Sequence, residues 1–75
     1  MDKSSLKQVR ASLRLTQKQL AELAQVAQQT ITDIETGKKR PRTITAYAIV
    51  EALNAKLKEK GRAEITVESL DWEPL

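Results

Sequence analysis

The stretch TQKQLAELAQVAQQTITDIETGKKRPR, residues 16–42, decides how this chain folds. Thr16 and Gln19 carry the spacing of a capping box, in which each side chain satisfies a free backbone N–H of the other. A helix follows, burying Leu20 and Leu23 together with Ala21 and Ala24. Ala21 lies where a crossing helix approaches closely, and a bulky residue there would push the two apart. Gln25, Val26 and Ala27 make the connection to a further helix, predicted from Ala27 or Gln28 to Thr36, with Ile31 and Ile34 inward. Gly37 stops it, as a glycine just past a helix end does. Gln28, Gln29 and Thr32 share its exposed face, and such side chains can read base edges. Lys38, Lys39, Arg40 and Arg42 follow at once, in a loop pinned by Pro41, and can hold phosphates. A sequence-specific reader of duplex DNA needs both kinds of contact close together.

Upstream, Ser5 and Gln8 repeat the capping signature, and Leu6, Val9 and Leu13 recur at helical spacing. Downstream, Thr43 or Thr45 caps a fourth helix whose inward side is read as Ile44, Tyr47, Val50, Leu53 and Leu57. Its periodicity reaches about Lys60, with Gly61 as the end, and a break near Asn54 would divide it in two. Residues 64–67 alternate polar and apolar, which fits a short strand with Ile65 and Val67 on one side. One strand is not stable alone, so it must pair with a copy of itself or pack on the helices. Leu70 and Trp72 read as anchors for the tail. The chain thus divides into a DNA-binding unit, residues 1–63, and a C-terminal strand or tail, residues 64–75, for dimerisation or docking.

Composition narrows the possible chemistry. With 75 residues the chain holds one small domain. It has no cysteine and no histidine, so a disulfide framework, a thiolate zinc site and the usual general base are all missing. Nothing assigns a catalytic residue, a metal ligand or a cofactor, and no small-molecule ligand is expected. The net charge of +3 is modest, so its distribution matters more than its size. Basic residues fall early (Lys3, Lys7, Arg10, Arg14, Lys18), in the 38–42 cluster and at Lys56, Lys58, Lys60 and Arg62. Acidic residues crowd the end, at Glu64, Glu68, Asp71 and Glu73. That asymmetry fits a nucleic-acid partner on one side of the molecule. No apolar run approaches the roughly 20 residues of a membrane span, and no secretory signal is visible, so the cytoplasm is the expected compartment.

From Leu6 to about Leu53 the chain resembles the phage repressor and Cro-like (XRE-type) helix-turn-helix family. The matching residues are Arg10, Thr16 and Gln17, Leu20 and Ala21, then Ile31, Ile34, Glu35, Gly37 and Pro41 in order. The resemblance implies an all-α, compact bundle of four or five helices, its third in the major groove, here with a short C-terminal extended segment. It implies that Gln17, at the start of the second helix, holds a phosphate where backbone amides already favour an anion. It also implies that Arg10 and Glu35 meet as a partly buried ion pair; the bland alternative is two independent surface charges. Gln25 departs from the pattern, standing where the family often has a glycine with positive φ. Ala27 departs too, standing where a serine or threonine caps the third helix; its backbone amide is left to contact phosphate.

Each reading has a plain competitor. Gln28 and Gln29 are ordinary solvated helix residues or, in this motif, bidentate readers of an adenine edge. Thr32 meets a thymine methyl or a phosphate, or is simply exposed. Asp33 lies near the DNA and excludes some bases, or points away. Lys38, Lys39, Arg40 and Arg42 are a solvated loop or, directly after a reading helix, phosphate contacts. Tyr47 and Trp72 pack in the core in preference to stacking on bases. The reading is a DNA-binding transcriptional regulator, a homodimeric repressor on a roughly palindromic operator with double-stranded DNA as its partner. The main rival is an antitoxin or adaptor that binds a protein partner such as a toxin through residues 64–75. A helical scaffold with no DNA role is the other.

Overall fold

A computed structural model describes residues 4–73; Lys3 and the last two residues of the tail lie outside the described residues. Four helices form: α1 (Leu6–Ser12), α2 (Gln17–Ala24), α3 (Gln28–Glu35) and α4 (Thr43–Glu59). A single 3-10 turn, Val67–Ser69, lies in the C-terminal segment. Both capping boxes are made. Ser5 Oγ accepts from the Gln8 amide at 3.0 Å while Gln8 Oε1 accepts from the Ser5 amide at 2.9 Å. Thr16 and Gln19 do the same at 3.0 and 2.9 Å. The fourth helix is unbroken, and it starts differently from the expectation. Arg42, not Thr43 or Thr45, occupies its N-cap position, without a side-chain cap bond.

All four helices end by one device. The amide five residues on bonds back to a carbonyl of the last turn: Leu15 to Arg10, Val26 to Ala21, Lys38 to Asp33 and Arg62 to Leu57. This closure requires a left-handed residue just before the donor. Gly37 and Gly61 fill that role at φ 76 and 67, but Arg14 and Gln25 fill it at φ 58 and 59. The turn between α2 and α3 is therefore formed without the glycine that suits it best.

α2, α3 and α4 enclose the core, in which Leu20, Ile31, Ala46, Ile49 and Leu53 are fully buried. Ala21 is buried between the helices, with no room for a larger side chain. The inward stripe of α4 is Ala46, Ile49, Val50, Leu53 and Leu57. Ile44 and Tyr47, expected inside, stand outside at 78% and 55% exposure, and Leu23 on α2 is 45% exposed. α4 carries two overlapping apolar stripes that share Val50, Leu53 and Leu57, and packing against α2 selects the one containing the small Ala46.

The expected strand at 64–67 does not form. Asn54 of α4 donates from Nδ2 to the Ile65 carbonyl at 2.9 Å and accepts the Ile65 amide on Oδ1 at 2.8 Å. A side-chain amide thus takes both backbone groups that a neighbouring strand would have bonded. Val67 and Leu70 are buried against the helices. Leu70 makes an isolated parallel bridge with Ser4, and the Asp71 amide donates to the Ser4 carbonyl at 3.0 Å. Trp72 is half-buried and donates from its indole N–H to the Val67 carbonyl at 2.8 Å. The tail packs on its own helices, as anchored by the two residues that the sequence singled out.

Candidate nucleic-acid interface

The first turn of α3 carries Gln28 and Gln29, both exposed. Gln28 has no side-chain hydrogen-bond partner among the described residues, so its amide is free to rotate. Behind this turn a chain of polar contacts joins three helices. Arg10 of α1 grips Glu35 of α3 through two bonds, Nε to Oε2 at 2.6 Å and Nη2 to Oε1 at 3.1 Å. Its Nη1 donates to the Leu15 carbonyl at 2.7 Å. The Glu35 side chain is 2% exposed. Gln17, the first residue of α2, donates to Glu35 Oε1 at 3.0 Å and accepts from the Thr32 hydroxyl at 2.9 Å. One glutamine thereby fixes α3 against α2, and the ion pair fixes it against α1.

These contacts redistribute the roles read from the sequence. Gln17 has a structural task in addition to any phosphate contact: one amide hydrogen goes to Glu35, and the other, with the backbone amide of the first turn, faces outward duty. The Thr32 hydroxyl donates to Gln17 and also approaches the Gln28 carbonyl at 3.3 Å, which leaves its methyl as the contact group. Asp33 is not on the reading surface. It is 6% exposed and accepts Gln29 Nε2 on Oδ1 at 2.9 Å. Its position one turn after Gln29 places the carboxylate beneath the amide, so it reaches a base only through Gln29.

The cationic loop lies beside α3. Lys38, Lys39 and Arg42 are exposed. Lys39 Nζ lies 3.8 Å from Asp33 Oδ2. Arg40 is tied back, donating from Nε to the Glu73 carbonyl at 2.7 Å, because the tail passes over it. An open groove beside α3 is walled by this loop and by Thr30 and Thr45, two hydroxyls that the sequence reading passed over. Their only sequence signal is a place next to residues already singled out. Ala27, at the N-cap of α3, makes no side-chain cap bond, so the amides of that first turn are left without one. No group of acidic residues suited to a metal ion occurs among the described residues. No helix among them is long and apolar enough to cross a membrane.

A helix-turn-helix family model matches residues 6–60, which spans α1 through α4. The chain belongs to the helix-turn-helix family. An uncharacterized HTH-type transcriptional regulator of Archaeoglobus fulgidus is 35% identical over 57 residues, covering 76% of this chain and 80% of the relative. No solved structure matches the chain significantly. As a helix-turn-helix protein it is a DNA-binding regulator and not an enzyme. The family match stops short of the C-terminal segment, whose packing is a property of this chain's own residues.

Proposed function

We propose that this protein is a transcriptional repressor that reads a roughly palindromic operator as a homodimer, with α3 in the major groove. The observation that carries the reading is the pair of exposed amides, Gln28 and Gln29, on a helix locked at its base by Arg10, Gln17 and Glu35. Base reading is assigned to Gln28 and Gln29, with the Thr32 methyl beside them. Phosphate contact is assigned to Lys38, Lys39 and Arg42, to the backbone amides at Gln17 and Ala27, and to the guanidinium edge of Arg40 that Glu73 leaves open. Repression follows from occupancy, since a bundle seated in the groove excludes other proteins from the same base pairs.

The longest dimension of the molecule is 31 Å. Half-sites on one face of a duplex are about 34 Å apart, so a palindrome needs two copies. We place the contact between them on the exposed Ile44 and Tyr47, one turn apart at the start of α4 and adjacent to the cationic loop. A two-fold axis there brings both loops to one duplex. The buried Val67 and Leu70 and the bonded indole of Trp72 favour this over docking through the tail.

Selection from a random-sequence duplex library tests the reading. Enrichment of two inverted half-sites spaced by one helical turn is expected. Recovery of no common sequence at low salt would overturn it.

A further inference from the structure

Gln29 and Asp33 lie four residues apart on α3, and their contact sets more than local order. A carboxylate can only accept, so the amide must turn its NH2 toward Asp33. The Gln29 Nε2 to Asp33 Oδ1 bond of 2.9 Å therefore fixes which end of the amide faces which way, a choice that a free glutamine leaves open. The carboxylate is itself held in place. Asp33 is 6% exposed, and its second oxygen faces Lys39 Nζ at 3.8 Å. Gln28, one residue earlier, has no such partner and stays adaptable.

With one amide hydrogen committed, Gln29 retains one N–H donor and the Oε1 acceptor, side by side on its outer edge. Adenine offers the complement in the major groove, an N6 donor next to the N7 acceptor, whereas guanine offers two acceptors, O6 and N7. Against guanine, Oε1 would oppose O6. Turning the amide to avoid that would break its bond to a buried carboxylate and leave the charge short of a partner.

We propose that Asp33 is a specificity-positioning residue, holding the Gln29 amide so that it reads adenine and rejects guanine. The inference rests on the DNA-reading role proposed above for Gln29. It assigns Asp33 no base contact of its own.

The test uses the full chain and the duplex recovered by selection. Binding is measured by fluorescence anisotropy with each base pair of a half-site replaced in turn. The wild type should prefer adenine to guanine by roughly tenfold or more at one position, the value of a good bidentate contact. Gln29→Ala should flatten the preference there and nowhere else. Asp33→Asn offers the amide a donor as well as an acceptor, so Gln29 can turn; the adenine preference should fall to within about twofold at that same position, with the other positions and the melting temperature unchanged. A ratio in Asp33→Asn equal to that of the wild type would overturn the proposal, as would a uniform loss across all positions. Should Asp33→Asn fail to fold, the wild type on modified DNA decides the matter. Removing N7 (7-deaza-adenine) or the N6 amine (purine) at that position should each weaken binding about tenfold, and insensitivity to both would overturn the inference. Guanine preference at the Gln29-sensitive position would do the same while leaving the DNA-binding reading intact. No enriched sequence at all would bring down that reading and the inference with it.

Discussion

Glu35 shows how a charge can be kept inside so small a bundle. Its carboxylate receives two bonds from Arg10 and a third from Gln17, and its side chain is 2% exposed. Bringing two charges out of water costs several kcal/mol per ion, which this geometry offsets but does not greatly exceed. The asymmetry lies in what happens when one partner goes. Glu35→Ala leaves the Arg10 guanidinium, 13% exposed, with only the Leu15 carbonyl. The expected loss is about 3–5 kcal/mol in urea unfolding. Replacing Arg10 and Glu35 together by apolar residues of similar size should cost far less. A single Glu35→Ala variant within about 1 kcal/mol of the wild type would show that the pair is not buried as described.

At the scale of elements, the turn between α2 and α3 holds two substitutable weaknesses. Gln25 adopts φ 59 with a side chain, a conformation costing roughly 1–2 kcal/mol. A glycine relieves that cost but loses about 0.5–1 kcal/mol to the greater freedom of its unfolded chain. Gln25→Gly should therefore gain somewhat under about 1 kcal/mol, whereas Gln25→Val should lose stability, since a branched side chain tolerates this region least. Ala27 caps α3 without a side-chain oxygen. Ala27→Ser supplies one and should add about 1 kcal/mol. Thermal and urea unfolding of the three variants checks the order. A wild type more stable than Gln25→Gly would mean that the Gln25 side chain contributes something the backbone strain conceals.

Across the whole molecule, the C-terminal segment and the outer face of α4 divide the remaining apolar groups between them. Leu70 is 1% exposed, pinned between the bridge to Ser4 and the helices. Leu70→Ala should cost about 2–5 kcal/mol, the range for emptying a packed leucine site. A loss below about 1 kcal/mol would show that the segment rests on the surface, available to a partner. Ile44 is the opposite case. Its exposure makes Ile44→Asp nearly neutral for the fold of one copy, yet on the proposed dimer it sets two carboxylates against each other across a two-fold axis. Sedimentation should show a shift toward monomer, with weakened operator binding and an unchanged α3. A dimer that survives both Ile44→Asp and Tyr47→Asp places the contact elsewhere.

Much of this architecture is written locally. Ser5 with Gln8, Thr16 with Gln19, and Gly37 and Gly61 mark helix ends because capping and left-handed closure involve only residues a few positions apart. The reading helix and its cationic loop are legible for the same reason. Three matters were settled only by the packed molecule. α4 offers two apolar stripes with the same three- and four-residue spacing, and the approach of α2 chose the one that leaves Ile44 and Tyr47 outside. Residues 64–67 have the alternation of a strand, but the Asn54 side chain, remote in sequence, took the backbone bonds of Ile65. Gln17, Glu35, Thr32 and Asp33 carry polar groups whose partners lie on other helices or one turn away. Local sequence thus determined where helices begin and end, because those energies are local. Which face is buried, and which polar atom is already committed, depends on groups that only the folded chain brings together.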